Sequence, residues 1–239
     1  MIELEAVSKA YRTGARVDVP ALHEVNLTIN DGEMVALIGP SGSGTSTLMN
    51  VLSCLDLPSE GRYRLDGTDV GRLSKRRLAK LRGRSIGFVF QSFDLIPDIT
   101  VQRNVELPMI YTRARLRRAR ARRALERVGL GGHEQDMPIE LFAAQRQKVL
   151  IARALINDPA ILLDDEPTGD LDPDSSRQIL ELFGELNAAG RTVVFATHRE
   201  ETAARAHRVV RLSEGRVVSD VRTGKRPGAP GAPPTLRAV

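Results

Sequence analysis

Three short stretches carry side chains whose types and spacing could handle a phosphate. The first is GPSGSGTST, Gly39 to Thr47, lying between the apolar run MVALI (Met34 to Ile38) and LMNVLSCL (Leu48 to Leu55). Strand, glycine-rich turn and helix form the setting of a phosphate-binding loop with the pattern G-x-x-x-x-G-K-[ST]. Gly39, Gly42 and Gly44 let backbone N–H groups converge on an anion, with Pro40, Ser41 and Ser43 between them, and the following helix adds the positive end of its dipole. Gly39, Gly44 and Ser46 fit the pattern, but the lysine position is Thr45. Ser46 and Thr47 supply the hydroxyl that such loops place on Mg²⁺, Ser46 in the matching position. Taken alone, the stretch also reads as an ordinary turn.

The second stretch is ILLDDEPTGDLD, Ile161 to Asp172. An apolar strand ending in adjacent carboxylates is costly unless they meet metal, water or positive charge at the sheet edge. Asp165 suits a Mg²⁺ ligand and Glu166 a general base for an attacking water. Alone, these acids could cap a helix. The third feature is a pair of polar strand ends, His198 after TVVFAT and Gln91 after SIGFVF. Open α/β sheets bind ligands at C-terminal strand ends.

The elements that must position these residues read off the apolar pattern. IELEAVSKAYR, VNLTI and EMVALIG predict antiparallel strands at the beginning, GRYRLDG a further strand and turn, and SIGFVFQ (Ser85 to Gln91) a buried strand. Helical pattern runs from Thr100 to about Asn157. Strands return over Ala160 to Glu166 and Thr192 to His198, separated by a helix through SSRQILELFGELNAAG, and VVRLSEGRVV predicts a hairpin. Strands alternating with helices indicate a parallel sheet covered on both faces, with the central helical stretch inserted. TGKRPGAPGAPPTLRAV, Thr223 to Val239, lacks periodicity and is expected to be disordered.

Composition narrows the function classes. A chain of 239 residues buries one sizeable core with room for a subdomain. The single cysteine, Cys54, placed in the helix after the loop, excludes an internal disulfide and suits a reducing compartment. MIELEAVSKA carries acids where a secretion signal needs basic and then apolar residues. No run approaches the ~20 apolar residues of a membrane span, so a membrane process would need another chain. The charge of +5 comes largely from the arginines of Thr112 to Leu130, where Ala114, Ala121, Leu125 and Val128 recur at helical spacing. The arginines therefore cover the wet face of an amphipathic helix, with a lipid or protein partner as the alternative. Aromatics at 4% do not interleave with them, which disfavours nucleic acid.

VSKAYRTG, GPSGSGTSTLMN, GFVFQSFDLIP, QRQKVLIARAL, LLDDEPTGDLD and the Thr197-His198 pair, in this order, resemble the nucleotide-binding subunit of an ATP-binding cassette transporter. SCLDLPSEGRYRLDG and NVELPMIY resemble its lipoprotein-release and macrolide-export branch. The resemblance implies an α/β fold: a P-loop NTPase (RecA-like) core with an N-terminal antiparallel β-subdomain and an inserted α-helical subdomain over about 92–158, all within residues 1–222. It implies ATP and Mg²⁺ as cofactors. Tyr11 would stack on adenine, Gly39 to Thr47 would hold the phosphates, and Gln91 would link the Mg²⁺ site to the membrane partner. Asp165 would position Mg²⁺, Glu166 would be the base, and His198 would contact the γ-phosphate; Asp172 would lie in the loop crossing to a second subunit. It further implies a dimer with ATP sandwiched against the partner's LSGGQ signature, an integral-membrane permease on another chain, a cytoplasmic place at the inner face of the membrane, and no nucleic acid.

The chain departs from that family where the phosphates would sit. Thr45 stands for Lys, and LFAAQ, Leu141 to Gln145, for LSGGQ. Asp164 stands for the branch's usual Ala and Asp170 for its Asn, adding negative charge. Two readings follow: a transport ATPase with impaired turnover, or a non-hydrolysing scaffold or regulatory subunit.

Overall fold

The computed structural model describes residues 1–13, 17–90, 95–110 and 117–224. Strand β1 (Ile2–Thr13) pairs antiparallel with β2 (Val17–Ile29) on one edge and β4 (Glu60–Leu65) on the other, and β5 (Thr68–Asp69) completes a sheet of order β2-β1-β4-β5. The second strand thus begins well upstream of VNLTI. Between β2 and β4 runs β3 (Met34–Ile38), which was expected to join these antiparallel strands and does not. It pairs parallel with β8 (Thr192–Thr197) and β9 (Arg208–Ser213) at the centre of a second sheet. The reason lies in its burial: all 5 residues are inside, with no alternation, and such a strand needs cover on both faces.

That second sheet has the order β10-β9-β3-β8-β7-β6, with β6 (Ile86–Val89), β7 (Ile161–Asp165) and β10 (Arg216–Arg222), the last antiparallel to β9. Alternate residues feed two cores. On one face Val35, Leu37, Leu163 and Val194 pack with α1 (Thr45–Leu52), α2 (Lys75–Ser85) and the inner side of the first sheet. On the other, Ala36, Ile38, Leu162 and Phe195 pack with α3 (Val101–Glu106), α4 (Arg117–Arg127), α5 (Ala143–Leu155) and α6 (Pro173–Ala188). The inserted helical region is α3 to α5.

Local readings fared unevenly. Ala121, Leu125 and Val128 are buried beneath α4 together with Ala124, while its arginines lie outside; Ala114 lies outside the described residues. Helix α2 was not anticipated, because a dense run of Lys and Arg hides the short stripe of buried Leu78 and half-buried Leu81. Cys54 is not in the loop helix: α1 stops at Leu52, and Cys54 follows it, buried, with φ of 55°. Residues 225–239 of the expected tail lie outside the described residues. Among those described, no helix is long and apolar enough to cross a membrane.

The C-terminal hairpin is fixed by Arg208. Its guanidinium donates to Asp220 at 2.6 Å, to Glu33 Oε2 at 2.8 Å and to the Thr28 carbonyl at 2.7 Å, tying β9 and β10 to both sheets. Arg208 holds the Asp220 carboxyl below its usual range; burial alone would raise Glu33, but hydrogen bonds from Asn30 and Arg208 outweigh it. Both acids are depressed in the fold, so their stabilisation is fully present above the unfolded carboxylate pKa and is lost as pH falls through the lower, folded values. Arg208→Gln should therefore cost about 2 kcal/mol near neutrality and progressively less below about pH 4, read as urea midpoints across pH.

Candidate functional site

The site lies where the C-terminal ends of β3, β7 and β8 meet the start of α1. After Ile38 the chain leaves the sheet and turns tightly, with Ser43 N–H donating to the Pro40 carbonyl at 3.0 Å. Gly42 and Gly44 take φ of 83° and 95°, open to glycine and strained for other residues. Gly39 has no room for a side chain: a Cβ there would stand 2.3 Å from Ser43 Oγ and 2.6 Å from the Leu212 carbonyl. At Gly44 it would stand 2.5 Å from the Ala21 carbonyl and 3.2 Å from Gly215 Cα. The loop is thus pressed between β2 and the β9–β10 turn, and Gly215 N–H donates to the Ser43 carbonyl at 2.9 Å. Gly44→Ala should lower stability by about 1–3 kcal/mol, seen as a reduced melting temperature, because strain and collision act together.

What the loop presents is backbone. Helix α1 has Gly44 as its N-cap with no side-chain cap, and its first bond runs from Leu48 N–H to the Gly44 carbonyl at 2.8 Å. Helix geometry then leaves the N–H groups of Thr45, Ser46 and Thr47 without carbonyl partners inside the helix, aimed where an anion would sit. Pro40, Ser41, Gly42 and Ser46 are exposed; Ser43 is buried and faces inward. Its hydroxyl lies 2.7 Å from Thr45 Oγ1, so Thr45 is engaged with the loop itself.

The end of β7 contributes two acids, and the end of β8 a threonine and a histidine. Asp165, at the end of β7, hydrogen-bonds the Ser46 hydroxyl; burial pushes its carboxyl up, Ser46 pulls it down, and the charge of Glu166 adds to the rise. Glu166 follows with φ of 62°, a left-handed conformation unusual for a non-glycine residue, and its N–H donates to the Ala196 carbonyl at 3.0 Å. This bend turns its carboxylate onto the end of β8. Oε1 accepts from His198 N–H at 2.9 Å and lies 2.8 Å from His198 Nδ1, and Oε2 accepts from Thr197 Oγ1 at 3.3 Å. The Glu166 side chain is 13% exposed and that of His198 64%, so the pair runs from interior to surface.

Asp164 belongs to the opposite face of β7. It is fully buried among apolar side chains, its Oδ2 accepting from Gln147 Nε2 of α5 at 3.2 Å and its Oδ1 having no partner. Burial pushes its carboxyl well up, and Asp165 reinforces the shift. Asp170 is exposed, and Asp172 caps α6, accepting from the N–H groups of Asp174 and Ser175 at 3.0 Å each.

Tyr11, on β1, is half-buried and reaches α1. Burial raises its phenol, while a hydrogen bond to Thr47 and the carboxylate of Asp56 act in opposite directions. Lys9 Nζ sits 5.0 Å from the ring centroid and donates to Asp56 Oδ1 at 2.5 Å. Gln91 lies outside the described residues. The LFAAQ stretch opens α5: Phe142 is its N-cap, 80% exposed, with Gln145 Oε1 accepting from its N–H at 2.9 Å. Phenylalanine cannot return the second bond of a capping pair as serine would.

Tyr11, the loop, Asp165, Glu166 and His198 are therefore brought together, and Leu141–Gln145 stands apart. Three contributors went unread in the sequence: the inward Ser43–Thr45 pair, Lys9 beneath Tyr11, and Gly215 against the loop. The last had a local signal in the Glu214-Gly215 turn, but nothing local shows where a turn docks.

The site fits a nucleoside triphosphate with Mg²⁺. Gly39 and Gly44 leave no room for a Cβ, the first amides of α1 have no carbonyl partner inside the helix, and Ser46 with Asp165 offers two hard oxygen donors. That donor set suits Mg²⁺, which takes most of its remaining ligands from phosphate and water. Among the described residues no cluster of three or more His, Cys, Asp or Glu could hold a metal without such a ligand.

Comparison with known proteins agrees with this geometry. A family model described as "ABC transporter" matches residues 22–169. The macrolide export ATP-binding/permease protein MacB 1/2 of Paracoccus denitrificans is 49% identical over 233 residues, covering 97% of this chain but 35% of that protein. The uncharacterized ABC transporter ATP-binding protein YvrO of Bacillus subtilis is 48% identical over 224 residues, 93% of this chain and 97% of its own. Among solved structures, the dimeric post-hydrolysis state of the ATP-binding cassette MJ0796 bound to ADP and Pi superposes with a TM-score of 0.84 at 41% identity, over 93% of this chain and 98% of that one. This chain thus spans about a third of the ATP-binding/permease relatives and nearly all of the stand-alone ATP-binding ones.

Proposed function

Because the chain belongs to the ABC transporter family, as its ATP-binding cassette, we propose that it is the ATP-binding subunit of an export system whose membrane permease is a separate chain, with turnover slowed by Thr45 and LFAAQ. The relatives named for macrolide and syringafactin export join the two functions in one protein. The observation that carries the proposal is the survival of one half of the site beside the loss of the other. Ser46 with Asp165 and Glu166 with His198 are in contact, whereas position 45 offers a hydroxyl already bonded to Ser43.

The steps assigned to the protein follow from these contacts. Loop amides hold the phosphates, and Tyr11 takes the base. Ser46 and Asp165 would hold Mg²⁺, which when bound supplies charge neutralisation across the phosphates. Glu166 would take a proton from water at Oε1 or Oε2 as the water oxygen bonds the γ-phosphorus and the bond from that phosphorus to the ADP oxygen breaks, while His198, already bonded to Glu166, fixes the carboxylate and would contact the γ-phosphate. Closure requires a second copy or a related cassette, as in the dimeric MJ0796 structures. There Phe142 presents a phenyl ring where the family has a serine hydroxyl, and Ala143 and Ala144 add methyl groups.

A second reading, a scaffold that binds nucleotide without consuming it, is favoured by the exposure of Phe142. Calorimetric titration with Mg²⁺ and ATP tests the first. The natural chain should bind, and Thr45→Lys should bind about 10–100-fold more tightly, since a charge-assisted contact contributes about 1.5–3 kcal/mol. Absence of binding by both chains would remove ATP from the function altogether.

A further inference from the structure

We propose that Asp164 is a positioning residue: through Gln147 it fixes the lateral placement of α5, and with it the LFAAQ stretch, over the strand that carries Asp165 and Glu166. The use of that placement in closure over ATP rests on the function proposed above; the placement itself does not. Apolar anchoring of α5 is uneven. Val149, Ile151, Ala152 and Leu155 are buried in the core shared with the sheet, whereas of residues 143–148 only Ala144 is buried. One methyl group is a non-directional contact and does not fix where a helix sits. Polar ties therefore hold the half of α5 that opens with LFAAQ. Lys148 Nζ donates to Gln178 Oε1 of α6 at 3.1 Å, while Gln145 and Arg146 bond within the Leu141–Phe142 segment. The tie that reaches the central sheet is Gln147 Nε2 to Asp164 Oδ2, at 3.2 Å.

Asp164 stands in register between Val89 of β6 and Phe195 of β8, both buried on the same face of the sheet. A fully buried carboxyl with one oxygen unpartnered costs more than a single hydrogen bond of this length returns. The pair thus adds no stability. What it adds is direction, because a hydrogen bond is lost when the helix shifts by about an ångström, while apolar contacts readjust. The next residue, Asp165, bonds Ser46, and Glu166 turns to His198. Three consecutive acids therefore set α5, α1 and the end of β8 in relation to one strand.

The test is the distance between spin labels at Ile139→Cys and Thr28→Cys in the full chain without nucleotide, measured by pulsed electron spin resonance beside melting curves. Ile139 is 87% exposed and lies just before LFAAQ, Thr28 is exposed on β2, and Cys54 is buried away from the label. Asp164→Ala should widen the distance distribution at least about twofold and yet raise the melting temperature by about 2–4 °C, because the buried carboxyl is gone. Gln147→Leu should widen it as much and lower the melting temperature, since the carboxyl then has no partner. Asp164→Asn keeps an acceptor for Gln147 and should keep the natural width. A residue that only fills space would move both readings in the same direction. The natural width in Asp164→Ala or Gln147→Leu would overturn the proposal. So would an Asp164→Asn distribution as wide as that of Asp164→Ala, or an Asp164→Ala chain that melts below the natural one. None of these readings involves ATP, so a chain that fails to bind nucleotide can still pass the test, and one that binds it can still fail.

Discussion

An ATPase rate at least tenfold above that of the natural chain is expected when Thr45→Lys is combined with Phe142→Ser, Ala143→Gly and Ala144→Gly. The substitutions act on different steps. Thr45 now spends its hydroxyl on Ser43, and a lysine at the first position of α1 brings an ammonium to the phosphates, which raises affinity. Affinity alone does not raise turnover when ground and transition states gain equally. Turnover rises when closure also becomes possible, and removal of one electrostatic group from such a site commonly costs about 10²–10³ in rate. Phe142→Ser further restores a side-chain N-cap to α5, a gain of about 1 kcal/mol, which offsets the weaker helix preference of the two glycines. The measurement is steady-state phosphate release at saturating ATP beside the single variant Thr45→Lys. Thr45→Lys should bind more tightly with little change in saturated rate, whereas the combined variant should gain rate. A combined variant that binds ATP, melts like the natural chain and releases phosphate no faster would show that something else limits turnover.

Glu166→Gln should remove at least about 10² of whatever hydrolysis the natural chain or the combined variant performs, because proton transfer to a placed base contributes about 10²–10⁴. The replacement is nearly isosteric, and its amide oxygen can still accept from His198 N–H, so the bend after β7 should survive. ATP affinity should stay within about twofold, since the carboxylate touches Thr197 and His198 and not the loop. Single-turnover hydrolysis and equilibrium binding, measured on the same samples, separate the two effects. Hydrolysis that persists unchanged in Glu166→Gln would mean that Glu166 is no base.

Most of the architecture was legible in the sequence because β7, β8 and the glycine turn are local patterns. Five consecutive apolar residues followed by Gly39 announce a strand that ends at a loop, and the acids at 165 and 166 announce a strand end facing polar surroundings. The sheet that β3 joins was not legible: burial of Met34–Ile38 on both faces depends on β8 and β9, more than 150 residues away in the chain. Helix α2 was hidden by composition, since Lys and Arg outnumber the two leucines that hold it down. At the site, residue types revealed which groups face one another at strand ends. They did not reveal that Thr45 turns back to Ser43, because a hydroxyl's choice of partner is a matter of geometry within about an ångström. Likewise Asp164 and Asp165 look alike in sequence, and the period of two along the strand sends one toward Gln147 and the other toward Ser46.

The pressing of Gly44 between Ala21 and Gly215 has a consequence for the order of events during synthesis. The phosphate loop is complete in the chain by residue 47, yet the hydrogen bond that closes over it comes from Gly215, in a hairpin translated long after it. A growing chain that has made β1 to β8 therefore owns every residue of the loop without the contact that sets its shape. Contacts so distant in sequence form late, after their closure entropy is met. Nucleotide can be recognised only once the C-terminal hairpin has emerged from the ribosome and docked, so a chain cut before Arg208 should fold in part yet remain blind to ATP.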